Sequence, residues 1–227
     1  MYRSAPLEKF LADLSARTPT PGGGSTSALA GALGAAQACM CAAFTTQHEK
    51  FKAVEPEARQ LLGQFEALRE TLLALLERDL QAYQDLAAAR KLPKETDQQQ
   101  QARAARIAAA QEHATQVPEA ILEGARQGQE LLGPLLRICN PNLLSDITVA
   151  AYLLEACARG ACAQVCANLC GPKAGSLAPA RRRAAREKAR ACQLRCAELD
   201  QIVMHSLGVE DDTAGGGRMA AAGKGDG

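Results

Sequence analysis

Three consecutive glycines stand immediately before a long segment of small, helix-forming residues. The stretch reads TPTPGGGSTSALAGALGAA (residues 18–36), with Gly22, Gly23 and Gly24 ahead of the predicted helix and Ser25 as its cap. A helix N-terminus offers free backbone N–H groups and a partial positive charge, and glycine lets a ligand approach the backbone closely. The glycines could therefore bind an anionic or strongly polar group, although a purely structural turn explains them as well.

An aspartate lies among the apolar residues of the third predicted helix. Leucines occur three, four and seven residues before Asp79 and Tyr83 follows four residues after it, which places Asp79 on or beside the apolar stripe. A carboxyl group that faces a core is costly unless it is paired or used, and burial raises its pKa towards values suited to proton transfer. The alternative is a boundary aspartate paired with Arg78 or another neighbour.

Polar side chains also collect around a very apolar helix predicted from about residue 143 to 169. Amide, hydroxyl and carboxyl groups lie ahead of it in the segment NPNLLSD, and two amides lie one turn apart near its end. These residues are Asn140, Asn142, Ser145, Asp146, Gln164 and Asn168. Capping explains one or two of them, but buried amides need partners, so a pocket is expected near the helix ends. Lys94, after Pro93, offers a cation for a substrate carboxylate.

Helical periodicity extends over almost the whole chain and predicts an all-α fold. We expect one domain over residues 1–209, a bundle of about six long helices with a core rich in Ala, Gly and Cys. The second helix is predicted to end near His48, and the fourth, from about residue 95 to 136, to be kinked or broken at Pro118. The glycine-rich residues 210–227 are predicted to be a disordered tail.

Two predicted helices, residues 28–43 and 149–167, carry Ala, Gly and Cys around most of their circumference. Small side chains permit close backbone approach, so these helices are expected at the centre of the bundle and, as a hypothesis, at a subunit interface.

Composition and charge exclude several broad classes. The 227 residues carry a formal net charge of +1, which gives no electrostatic reason to expect nucleic acid or an anionic membrane as a partner. No run of about twenty apolar residues and no signal peptide are evident, so neither a membrane span nor export is expected and a cytoplasmic location is the default. The nine cysteines fall mainly on helical stripes, which favours packing over a metal site or a thiol-based redox role.

Four motifs, in order along the chain, resemble those of the cyclodeaminase/cyclohydrolase family of folate one-carbon enzymes. They are TPTPGGGSTSALAGALGAA, DLQAYQDLAAARKLPKET, NPNLLSDITVAA and LLEACARGACAQVCANL, and the resemblance spans about residues 7–207. It implies an all-helical, generally homodimeric protein that binds tetrahydrofolate derivatives as substrates, with no metal and no other cofactor.

The resemblance also implies roles for individual residues. The family's catalytic aspartate corresponds to Asp79. The residues that would surround the folate are the glycines 22–24, Ser25, Lys94, Asn140, Ser145, Asp146, Gln164 and Asn168. Three departures put substrate preference in question. Gln164 stands where Asn is usual, QHEKF stands where relatives commonly carry basic residues, and the buried helix is unusually rich in cysteine.

Two reactions are compatible with the resemblance. A methenyltetrahydrofolate cyclohydrolase adds water to the carbon that bridges N5 and N10, whereas a formiminotetrahydrofolate cyclodeaminase closes that bridge and expels ammonia, which leaves only when protonated. The absence of a transferase domain from this chain slightly favours the cyclohydrolase. A non-catalytic helical scaffold or folate-binding protein is the remaining alternative.

Overall fold

The protein is described here by a computed structural model that covers residues 1–46, 49–170 and 175–209. Within these residues the chain forms six α-helices and three short 3-10 helices, with no strand. The α-helices are α1 (Leu7–Ser15), α2 (Gly23–Thr46), α3 (Glu55–Arg90), α4 (Asp97–Ile138), α5 (Leu144–Asn168) and α6 (Ala178–Ser206). The prediction of an all-α, single-domain bundle is confirmed. The predicted helix end near His48 and the predicted tail lie outside the described residues.

Helix α2 is the central element and runs antiparallel to α5. Gly23, at the start of α2, lies against Gln164 near the end of α5. Further along α2, a Cβ on Gly34 would lie 3.0 Å from the backbone oxygen of Ala150, near the start of α5. Glycine at this position therefore permits the close approach of the two backbones.

Helix α3 lies on the other side of α2 and supplies larger side chains to the core. Phe65 and Leu72 of α3 and Ile121 and Leu132 of α4 are fully buried. They pack around the alanines and cysteines of α2 and α5, which form the same continuous cluster. The first turn of α2 is thereby held between α3 and α5.

Helix α4 is continuous through Pro118, so of the two predicted alternatives, a kink or a break, the break is wrong. Proline has no N–H, and the carbonyl four residues earlier, that of Ala114, loses its helical partner. The side-chain amide of Asn168 replaces it, since its Nδ2 donates a hydrogen bond of 2.8 Å to the Ala114 oxygen. A contact from α5 therefore supplies the bond that proline removes.

The expectation that no segment is long and apolar enough to span a membrane also needs correction. By length and composition α2 meets that description, and more than half of the residues in its most apolar window are buried inside the bundle. Its apolar character comes from small residues that pack against α3 and α5, as expected of a core helix.

Candidate active site

The glycine stretch forms the beginning of α2 itself. Helix α2 starts at Gly23, so Ser25 lies within the first turn and is not the cap. The Ser25 hydroxyl accepts a 3.0 Å hydrogen bond from the N–H of Gly22. Among the described residues, positive φ angles occur only at Gly175 and Gly208, so the backbone at residues 22–24 is not in the left-handed region.

The glycine at position 24 is explained by the carboxyl group of Asp79. A Cβ on buried Gly24 would overlap both carboxyl oxygens of Asp79, which reaches the first turn of α2 from α3. The first turn of a helix carries unpaired N–H groups and a partial positive charge, which favour a carboxylate. The anionic group at this helix start is therefore supplied by the protein itself.

The electrostatic setting of Asp79 combines two opposing effects. Burial raises the pKa of its carboxyl above the ordinary value of 3.8, while the backbone N–H and hydroxyl of Ser25, which face it, act in the opposite direction. Within the described part of the chain no ion pair involves Asp79, so the alternative of a pair with Arg78 is not supported. Asp79 is thus a half-buried carboxyl with elevated proton affinity.

Gln164 lies on the opposite side of the same helical turn. A Cβ on Gly23 would overlap the side-chain amide of Gln164, which is half-buried. One turn further along α2, Ser27 packs against Gly160 of α5 and its hydroxyl donates to the Gly23 oxygen at 2.7 Å. The start of α2 is therefore flanked by a carboxyl from α3 and an amide from α5.

Asn168 lies one turn beyond Gln164 on α5, and its hydrogen bonds are structural. Its amide nitrogen is bonded to Ala114, and its backbone oxygen accepts a 3.1 Å hydrogen bond from Nε2 of Gln111. These bonds fix the end of α5 against α4. Among the described residues no hydrogen bond reaches the side-chain carbonyl oxygen of Asn168.

Lys94 lies in the turn between α3 and α4 and is exposed. Helix α3 continues from Asp79 to Arg90 before that turn, a rise of about 16 Å. Lys94 therefore follows the C-terminal end of α3, about three helical turns along the chain from Asp79.

Asn140, Ser145 and Asp146 lie near the opposite end of α2. The Asn140 N–H donates to the Thr45 hydroxyl at 3.2 Å, and the Asp146 carboxylate accepts a 2.7 Å hydrogen bond from the amide of Gln37. Gln37 is thirteen residues after Gly24, about 20 Å along the helix. Within one chain the structure therefore does not bring these three residues to the glycines. Sequence reasoning missed Gln37, although an amide within an alanine-rich helix was a visible signal.

The cysteines fit the packing interpretation. All nine lie in the described residues as free thiols, and seven of them are buried. Burial raises the pKa of the Cys157 thiol to about 12, far from the range of a reactive thiolate. The described residues contain no group of three His, Cys, Asp or Glu side chains placed to hold a metal ion.

The family model for formiminotransferase-cyclodeaminase matches residues 6–187 of this chain. The chain belongs to the formiminotransferase-cyclodeaminase family. The methenyltetrahydrofolate cyclohydrolase of Methylorubrum extorquens is 37% identical to it over 159 residues, which cover 70% of this chain and 76% of that protein. This family member and the Methylorubrum protein are therefore similar in length.

Two other relatives carry the cyclodeaminase name. The formimidoyltransferase-cyclodeaminase of Rattus norvegicus is 34% identical over 69% of this chain, but the match covers only 29% of that longer protein. The crystal structure of formiminotetrahydrofolate cyclodeaminase from Thermotoga maritima superposes with a TM-score of 0.74 and 25% identity. That superposition covers 92% of this family member and 98% of the Thermotoga chain.

Proposed function

We propose that this protein is a methenyltetrahydrofolate cyclohydrolase, which converts 5,10-methenyltetrahydrofolate and water into 10-formyltetrahydrofolate. The observation that carries the proposal is the half-buried carboxyl of Asp79, which has no ion-pair partner among the described residues and is held at the start of α2 with a raised pKa. The relative from Methylorubrum extorquens, which bears this name and matches over 76% of its length, supports the choice of substrate.

The proposed reaction assigns Asp79 the movement of one proton. As the water oxygen bonds to the cationic methenyl carbon, the Asp79 carboxylate takes a proton from the water. The product is a tetrahedral carbon that carries a hydroxyl and bridges N5 and N10. The bond to N5 then breaks, N5 receives the proton from Asp79, and the hydroxyl loses its proton to solvent as the formyl group forms on N10. We propose no metal ion and no cofactor beyond the folate substrate.

The polar groups around this carboxyl are assigned to substrate binding. We place the folate beside the turn formed by Gly22, Gly23 and Gly24, with the amide of Gln164 as a hydrogen-bonding partner for its ring atoms. The free oxygen of Asn168 lies beyond Gln164 on the same helix. Lys94, near the far end of α3, is placed to meet the carboxylates of the substrate's glutamate portion.

A homodimer completes this arrangement. Leu33 and Phe44 lie on one face of α2 and are 48% and 59% exposed, and Val149 of α5 is 46% exposed beside them. Gln37 and its partner Asp146 lie on the same face. A second copy packed antiparallel on this apolar face would bring the end of its α2 towards the glycines of the first. Asn140, Ser145 and Asp146 would then be contributed to the folate site by the second copy.

Formiminotetrahydrofolate cyclodeaminase activity is the second candidate. The superposition on the Thermotoga maritima cyclodeaminase, which covers 98% of that chain, favours it. In this reaction N10 attacks the formimino carbon and a tetrahedral centre again bridges N5 and N10. The protonated form of Asp79 would deliver the proton with which ammonia departs, a role that a raised pKa suits.

Side-by-side kinetics with the two folates test the proposal. Purified protein is mixed with 5,10-methenyltetrahydrofolate, and loss of its near-ultraviolet absorbance is compared with hydrolysis in buffer alone. We expect an accelerated loss, and a slower or absent formation of the same absorbance from 5-formiminotetrahydrofolate. Faster turnover of the formimino substrate would assign the cyclodeaminase. No turnover of either substrate, with folate still bound, would identify a binding protein.

A further inference from the structure

The side chain of Tyr83 is exposed to solvent, although it lies on the face of α3 that packs into the bundle. It follows Asp79 by four residues, one helical turn, and lies between Leu80 and Leu86 around the helix. Those two leucines are 8% and 7% exposed, whereas Tyr83 is 43% exposed. An aromatic residue in the middle of a buried stripe is expected to be covered, so its exposure needs a cause.

The cause is the position at which α2 begins. Asp79 packs against Gly24, and α3 runs antiparallel to α2, so Tyr83 lies about 6 Å further along α3, beyond the first turn of α2. In the described residues α2 does not extend along α3 to that level, and α3 packs there against α4 through Leu86, Ala89 and Ala110, which leaves the ring of Tyr83 exposed. A Cβ on Gly22, the residue just before the helix, would have no atom within 4 Å. Tyr83 is therefore exposed one turn from Asp79, and among the described residues the position of Gly22 is open as well.

The phenol of Tyr83 also differs from the other two tyrosines. Tyr2 donates a 2.6 Å hydrogen bond to Asp13, and Tyr152 donates one of 2.5 Å to Asp200. Both of these side chains serve to connect helical segments. In the described residues the Tyr83 hydroxyl makes no such hydrogen bond, and the side chain is 43% exposed.

We propose that Tyr83 is a substrate-binding residue whose ring stacks on the flat heteroaromatic ring system of the substrate. Stacking there holds the reacting carbon one helical turn away, at the Asp79 carboxyl. Aromatic rings pack favourably in offset-stacked or edge-to-face arrangements, and the open face of Tyr83 provides such a surface. This inference rests on the proposed function, because it takes a folate derivative as the ligand.

Three variants of the full-length protein test the inference by steady-state kinetics with 5,10-methenyltetrahydrofolate. Tyr83→Phe keeps the ring and is expected to leave KM within twofold of the wild-type value. Tyr83→Ala removes the ring and is expected to raise KM roughly tenfold. Gln84→Ala, an exposed neighbour on the same helix, is the matched control and should change neither KM nor kcat.

Two outcomes would overturn the stacking role. KM of Tyr83→Ala within twofold of the wild type would show that the ring does not bind substrate, and an equal loss in Tyr83→Phe would assign the effect to the hydroxyl. Should the alanine variant not fold, as judged by circular dichroism, Tyr83→Leu retains bulk without an aromatic face and must show the raised KM.

Failure of the proposed enzymatic function can be distinguished from failure of the stacking role. If the wild type turns over no folate, calorimetric binding of 5-formyltetrahydrofolate replaces KM, and the dissociation constant should rise roughly tenfold in Tyr83→Ala. Equal affinities for the wild type and this variant would overturn the stacking role alone. Absence of any folate binding to the wild type would overturn both proposals.

Discussion

The carboxyl group of Asp79 lies directly against the backbone of Gly24, in space that any other residue at position 24 would fill with its Cβ. This contact joins α3 to the first turn of α2 and places a carboxyl of raised pKa at a helix N-terminus. Both the position and the proton affinity of the Asp79 carboxyl therefore depend on the absence of a side chain at position 24.

Substituting Gly24 tests this contact. Gly24→Ala is expected to displace the Asp79 carboxyl and to lower kcat at least tenfold, even though alanine favours helix formation over glycine by about 1 kcal/mol. Gly63→Ala is the matched control, because a Cβ at that exposed position in α3 meets no atom within 4 Å. It should keep wild-type kcat and be slightly more stable. Wild-type kcat in Gly24→Ala would mean that the position of Asp79 is not set by this contact.

The raised pKa of Asp79 also predicts how stability depends on pH. The folded state holds this proton more tightly than the unfolded chain, so its contribution to stability is fully present below the ordinary pKa of 3.8 and is lost as pH rises through the folded value. Asp79→Asn should therefore unfold at higher denaturant concentration than the wild type at pH 8, with a gap that shrinks towards pH 4. A gap independent of pH, or a less stable variant at pH 8, would contradict the raised pKa.

Disrupting the exposed face of α2 tests the dimer. Leu33→Glu places a charge in the middle of the apolar face and is expected to convert a dimer to monomer in sedimentation velocity, with activity reduced at least tenfold. Leu194→Glu, at a site on α6 that is 49% exposed, serves as control and should leave both unchanged. A monomeric wild type with full activity would show that one chain carries the whole site.

Thiol titration separates packing from a redox role of the cysteines. Cys170 is exposed and should react quickly with a thiol reagent in the native protein, whereas the seven buried cysteines should react only after unfolding. The pKa of about 11 that burial gives Cys39 supports slow reaction. Rapid modification of several thiols in the native protein would favour the redox interpretation.

Much of the helical framework could be predicted from periodicity and from its breaks. The boundary of α3 at Arg90 follows from the leucine stripe and Pro93, and the short turn before α5 follows from NPNLLSD. The break predicted at Pro118 was wrong because its compensation comes from Asn168, fifty residues away in the sequence. Local sequence carries no information on such a tertiary hydrogen bond.

The site could be predicted only in part for the same reason. Asp79 was found because helical spacing placed a carboxyl in an apolar stripe, but its contact with Gly24 depends on how α2 and α3 pair. The three glycines suggested a binding site for an anionic or polar group, whereas Gly23 and Gly24 allow the close approach of side chains from α5 and α3. The distance of Asp146 from this turn follows from the antiparallel pairing of α2 and α5, which sequence spacing does not specify.

The most direct test is the turnover of 5,10-methenyltetrahydrofolate by Asp79→Asn, with Asp85→Asn as a control on the same helix, where Asp85 accepts a 2.9 Å hydrogen bond from Gln81. A proton carrier of this kind contributes a factor of about 10² to 10⁴ to the rate. We predict that kcat/KM falls at least a hundredfold in Asp79→Asn, with helix content unchanged, while Asp85→Asn stays within twofold of the wild type. An Asp79→Asn variant that retains the full rate would contradict the assignment.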